Sequence, residues 1–181
     1  STAGASPGDD ILVSKWIGLE GTSIIAKEKG QELAARYPMQ LIKAAQGFDQ
    51  YLSVLPEAAI AVASGVKAMH DVTEGGIFGA LWELAESSGI GLEIDLKKIP
   101  VKQETIEVCE YFGINPYGLI SSGCMLMAAS DGTALARELE KNGIHAAIIG
   151  KAVAGNGRVL LNEEERRFLE PPKTDELYKV V

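Results

Sequence analysis

An acid, a hydroxyl and two adjacent glycines stand together in His70-Asp71-Val72-Thr73-Glu74-Gly75-Gly76. Behind them Ile77, Phe78, Leu81, Leu84 and Ala85 recur at helical spacing, and Gly89 follows as a stop. The backbone N–H groups at a helix start point outward and carry partial positive charge. Glycines, having no Cβ, let an anion come close to them. The chemistry this predicts is phosphate binding, with Asp71 and Thr73 as polar companions. A plainer alternative uses the same residues: Asp71 and Glu74 have the spacing of a capping-box variant, which satisfies backbone donors and binds nothing. The paired glycine is not explained by a cap. Glycine in a first helical turn costs about 0.5–1 kcal/mol relative to alanine, so close backbone packing or a bound group must offset it.

The other residues able to do chemistry are weaker candidates. Gly150-Lys151-Ala152 lacks the hydroxyl that a phosphate-binding loop places after its lysine. His145 is isolated and reads as a packed or surface histidine, whereas His70 either anchors its turn or acts on substrate. Cys109 and Cys124 are too few for a disulfide framework and have no metal-ligand spacing. They read as buried or semi-buried thiols in a reducing, cytoplasmic compartment. Glu163-Glu164-Glu165-Arg166-Arg167 reads as a solvated helix face.

The elements that must position the motif are legible from period and punctuation. Asp10 to Ile17 forms a first strand, and helical segments span about 22–36 and 39–52, split by Pro38. A small-residue helix over 57–64 and a short strand over 65–69 then deliver the chain to His70. After Gly89, Gly91 to Leu96 alternates as a strand, Gln103 to Phe112 is a helix, and Asn115-Pro116-Tyr117-Gly118 is a turn. The apolar run ending at Ala129 suits a strand covered on both faces. A helix from Asp131, a strand over 144–153, a hairpin turn at Gly155-Asn156-Gly157 and a returning strand over 158–161 complete the pattern. The class is α+β in layers, a mixed sheet with helices on its faces. Residues 1–9 read as a leading linker, 10–161 as one domain and 162–181 as a charged tail packing on it.

Composition narrows the function. The 181 residues carry 17 basic and 25 acidic side chains, for a net charge of −8. The basic residues are scattered, which argues against a nucleic-acid partner. With 46% hydrophobic residues and no apolar run near the roughly 18–20 residues that a spanning helix needs, no membrane partner is expected.

The order of motifs resembles the C-terminal domain of the aminoimidazole ribonucleotide (AIR) synthetase superfamily. The resemblance rests on Pro7-Gly8-Asp9-Asp10 before the first strand and on His70-Asp71-x-Thr73-x-Gly75-Gly76. It extends through Ser87-Ser88-Gly89-Ile90-Gly91-Leu92-Glu93-Ile94 to the loop Ser121-Ser122-Gly123. The form of the glycine motif is most similar to the hydrogenase-maturation carbamoyl dehydratase type. The terminal cysteine of those enzymes is replaced here by Tyr178-Lys179-Val180-Val181, which puts cyanide-ligand synthesis in doubt.

The resemblance implies a PurM-like C-terminal fold and an N-terminal domain, absent from this chain, that supplies most ATP and Mg²⁺ ligands and pairs in a homodimer. Neither ligand is expected to bind this chain tightly by itself. It further implies phosphoryl transfer to, or activation of, an oxygen on a small-molecule substrate. His70, Asp71, Thr73, Gly75 and Gly76 would line one edge of the cleft and Ser121, Ser122 and Gly123 the other. No metal site belongs to this chain alone, and no catalytic residue is assigned. The alternative is a binding or dimerisation module that keeps the fold without the chemistry.

Overall fold

The computed structural model describes residues 1–181. Seven strands form one mixed sheet: β1 (Asp10–Ser14), β2 (Ala68–Asp71), β3 (Gly91–Asp95), β4 (Met125–Ala129), β5 (Ala146–Val153), β6 (Arg158–Asn162) and β7 (Glu165–Phe168). Their order is β2-β4-β1-β5-β3-β6-β7, with every pairing antiparallel except β3 with β6. Seven helices accompany them: α1 (Leu19–Glu28), α2 (Gly30–Ala34), α3 (Met39–Gln46), α4 (Leu55–Ala63), α5 (Gly76–Ser88), α6 (Gln103–Phe112) and α7 (Gly132–Lys141).

Strand alternation sorts the core into layers. On β1, Ile11 and Val13 face α5, where they pack with Ile77, Leu81 and Leu84, while Leu12 faces the opposite side with Leu135 and Leu139 of α7. The strand read as covered on both faces is β4, and all five of its residues are buried. A third cluster joins Ile25 of α1, Ile42 of α3 and Val108 of α6 beside the sheet.

Local expectations fail at two turns. The turn at Gly155-Asn156-Gly157 does not close a hairpin, because β3 lies between β5 and β6 and pairs with both. The chain steps over the start of β3, where the Gly157 carbonyl accepts from Leu92 N–H at 2.9 Å. A Cβ on Gly91 would lie 2.6 Å from that same carbonyl oxygen, so the crossing needs glycine there. Glu163 to Arg167 is likewise not a helix face. Glu163 adopts φ 58° in a tight turn, and β7 runs back antiparallel to β6.

Candidate functional site

β2 is an edge strand, and its pairing with β4 puts Asp71 opposite Met125. Val72 N–H then donates to the Cys124 carbonyl at 3.0 Å. Sheet register therefore brings the glycine motif and the Ser121-Ser122-Gly123 loop side by side at one end of the sheet.

The capping box does not form. Asp71 ends β2, α5 begins at Gly76, and Gly75 occupies the N-cap with no side-chain cap. Gly75 and Gly76 both adopt left-handed backbone, with φ of 90° and 66°. Close packing explains the second of them, since a Cβ on Gly76 would meet Tyr117 O at 2.6 Å and Leu119 N at 2.8 Å. Gly75 has open space by comparison, its nearest neighbour at 3.8 Å. Gly76 N–H donates to Thr73 O at 3.1 Å, and Gly79 N–H makes the first helical bond to Gly75 O. The N–H groups of Ile77 and Phe78 between them have no acceptor.

An internal carboxylate occupies part of the predicted anion cradle. Asp175 in the tail is 3% exposed. Its Oδ2 accepts from Gly75 N–H at 2.6 Å, and its Oδ1 accepts from Ile120 N–H at 3.1 Å and Leu177 N–H at 2.9 Å. One side chain thus ties the tail to both the glycine turn and the neighbouring loop. Under the tail lies a cavity of about 410 Å³ lined by Gly75, Phe78, Gly79, Arg167, Lys173 and Glu176, among others.

The remaining predicted residues differ in how accessible they are. Asp71 and Thr73 are exposed and Ser122 is half-buried. Ser121 is fully buried: its hydroxyl accepts from Gly18 N–H and donates to Leu119 O, both at 2.7 Å. Gly123 is buried, with φ 103°, against the Tyr51 carbonyl. His70 uses both ring nitrogens within the chain, Nδ1 on the Asp71 carbonyl at 2.5 Å and Nε2 on Glu83 of α5. His145 stacks on Trp16 with ring centroids 5.6 Å apart. Both cysteines are buried, and burial pushes the Cys109 thiol up to about 12 and Cys124 higher still.

A polar cluster that local motifs do not announce lies behind Asp71. Lys15 follows β1 in the left-handed region, with φ 55°. Its ammonium donates to Tyr51 O at 2.7 Å and Ser53 O at 2.8 Å and pairs with Glu57 Oε1 at 3.2 Å. Glu57, in the first turn of α4, is 1% exposed, and its Oε2 has no partner. Oε2 of Glu20, in the first turn of α1, is also buried without a partner. Burial raises the Asp71 carboxyl above its usual range, with Glu20 adding to the rise and His70 and Lys15 opposing it. Burial raises Glu57 too, against Lys15 and with Asp71 adding. Lys15 and Glu57 lie far apart in the sequence, so only their ion pair marks them.

The fold and this sheet end define the class: an α+β domain with a seven-stranded mixed sheet, carrying a double-glycine turn at the end of an edge strand. The chain belongs to the AIR synthase related protein family through its C-terminal domain, which matches over residues 6–162. The carbamoyl dehydratase HypE of Azotobacter vinelandii is 33% identical over 165 residues, covering 88% of this chain and 46% of that protein. The crystal structure of Escherichia coli HypE, a hydrogenase maturation protein, superposes with a TM-score of 0.77 at 25% identity, covering 98% of this chain and 54% of that one. A structure of HypE in complex with ATP shares the fold, with a TM-score of 0.72 at 20% identity, covering 100% of this chain and 55% of that one. The chain thus spans about half the length of the relatives it matches.

Proposed function

We propose that this chain is the C-terminal, substrate- and phosphate-side domain of an ATP-dependent protein of the AIR synthase superfamily. In this reading residues 10–161 form the domain proper, 1–9 lead into it and 162–181 pack back on it. An N-terminal ATP-binding domain and a homodimer partner complete the cytoplasmic protein, which activates an oxygen on a small molecule by phosphoryl transfer.

The observation that carries the proposal is the open polar edge at the end of β2. Exposed Asp71 and Thr73 stand there beside half-buried Phe78, whose N–H group has no acceptor. Phosphoryl transfer depends on positioning and electrostatic stabilisation, and preorganised N–H donors supply both without a nucleophile-base pair. ATP with Mg²⁺ would supply the transferable phosphoryl group. Within the chain, the Phe78 N–H group would orient a phosphoryl oxygen, and Thr73 would hydrogen-bond it. Asp71 would hold a proton or a metal-bound water. Ser122 would face the substrate from the neighbouring loop.

Calorimetric titration of Mg-ATP tests this. The longer protein that includes the upstream domain is expected to bind, and this chain alone weakly or not at all. Absence of binding by the longer protein would overturn the proposal.

A further inference from the structure

The cavity of about 410 Å³ under the tail has the size of a small-molecule site, since ligand cavities run from about 300 to 1,000 Å³. Asp71, Thr73 and Ser122 do not line it, so it is separate from the edge at which phosphoryl transfer is proposed. Three cations line it, and two are committed: Lys173 pairs with Glu170, and Lys179 with Glu176 at 2.5 Å. Glu176 is engaged a second time, accepting from Asn115 N–H at 2.8 Å. Arg167 of β7 makes no ion pair and no side-chain hydrogen bond, and its guanidinium carbon stands 6.0 Å from the centroid of the Phe78 ring. Aromatic surface completes the lining. Phe78 stacks on Tyr117 with centroids 5.1 Å apart, and Phe168, at the end of the edge strand, is 73% exposed. The roof is the segment 170–174, which makes no backbone hydrogen bond. It is held at its ends, by Leu169 N–H on Arg158 O at 2.8 Å and by the three bonds of Asp175, while Pro171 and Pro172 stiffen it between.

We propose that this cavity binds a small aromatic carboxylate, with its ring against Phe168 and Phe78 and its carboxylate on Arg167. A guanidinium presents a planar fork of N–H donors that fits a carboxylate bidentately, and such charge-assisted bonds are about twice as strong as neutral ones. Charge decides between anions. A phosphate monoester brings about −1.5 to −2 charges to one uncommitted cation, with Glu170, Glu176 and Asp175 close by, whereas a carboxylate brings one. A neutral ring would leave Arg167 unpaired, and an anion without a ring would leave Phe168 uncovered. With its ends fixed and no hydrogen bond between them, the 170–174 segment can lift to admit the ligand. The site does not depend on the phosphoryl-transfer reading, because the two share no polar side chain.

The test is an amide NMR titration of the full chain with three probes: benzoate, benzyl alcohol as the ring without the charge, and inorganic phosphate as the charge without the ring. Benzoate should shift the Gly75, Phe78, Gly79 and Phe168 amides and the Arg167 Nε–H signal together and to saturation. The other two probes should bind about tenfold more weakly or less. Arg167→Gln should weaken benzoate about tenfold or more, the effect of losing one charge-assisted contact. Arg166→Gln changes the neighbouring position, which faces Glu93 at 4.0 Å and does not line the cavity, and should bind like the parent. Phe168→Ala, at an exposed position that keeps the fold, should weaken benzoate severalfold. The proposal is overturned if benzoate gives no saturable shifts, or if phosphate or benzyl alcohol binds as tightly as benzoate. It is also overturned if Arg166→Gln weakens binding as much as Arg167→Gln, or if Phe168→Ala binds like the parent.

Discussion

Replacing Asp175 with alanine should loosen the tail and the glycine turn together. The substitution removes the acceptor for three backbone donors, at 2.6 Å from Gly75, 3.1 Å from Ile120 and 2.9 Å from Leu177. Hydrogen bonds to an ionised acceptor contribute about 1.5–3 kcal/mol each. Their simple sum is an upper bound, because a released tail lets water reach the freed N–H groups. A net loss of roughly 2–4 kcal/mol is expected, and at about 2–4 °C per kcal/mol for a domain of this size Tm should fall by roughly 4–16 °C. Asp175→Asn keeps one acceptor oxygen and should lose about half as much. Urea denaturation gives the free energy, and amide hydrogen exchange gives its location: Gly75, Ile120 and Leu177 should exchange faster while the amides of β4 hold. An Asp175→Ala protein within about 0.5 kcal/mol of the parent, with unchanged exchange at those three amides, would refute the clamp.

The two glycines of the turn should separate in a substitution pair. Gly76→Ala meets both a left-handed backbone and the Tyr117 carbonyl at 2.6 Å, for about 2–4 kcal/mol by thermal or urea unfolding. Gly75→Ala meets only the backbone term, about 1–2 kcal/mol, and equal losses would contradict the packing account. Glu57, raised by burial, binds its proton better folded than unfolded. Stability should therefore be fullest at low pH with respect to this group and fall as pH rises from about 4.3 through the folded-state value. Glu57→Gln should flatten that slope in urea titrations across pH, and an unchanged slope would contradict the assignment. Cys109, with its thiol near 12, and Cys124 should resist iodoacetamide at pH 8 in the native protein and react in urea; native labelling of either at the rate of a free thiol would contradict their burial.

Much of the fold was legible because its signals are local. Helix α6 keeps its expected bounds between Lys102 and Gly113, although it buries Thr105, Val108 and Cys109 and leaves Ile106, expected inward, exposed, and the unbroken apolar run of β4 announced burial on both faces. The failures came where partners are distant in sequence. Nothing in Gly155-Asn156-Gly157 says that β3 will pair between β5 and β6, and the crossing there needs the bare backbone of Gly91, more than sixty residues earlier. At the candidate site, only the family resemblance pointed to the 70–76 and 121–123 segments together, since no local spacing joins them. The reason for Gly76 could not, because its close neighbour is the backbone of Tyr117 to Leu119. Lys15, Glu20 and Glu57 carry no spacing that links them, and Asp175 sits in a charged tail whose only local sign is the capping of its own short turn.

Hydrogen exchange on the longer protein, with and without Mg-ATP and read segment by segment, tests most directly whether this sheet end is a wall of the nucleotide-dependent cleft. Nucleotide should protect the amides of residues 70–78 and 119–124 and leave β6 and β7 unchanged. Protection confined to the upstream domain, with 70–78 exchanging as before, would contradict that placement.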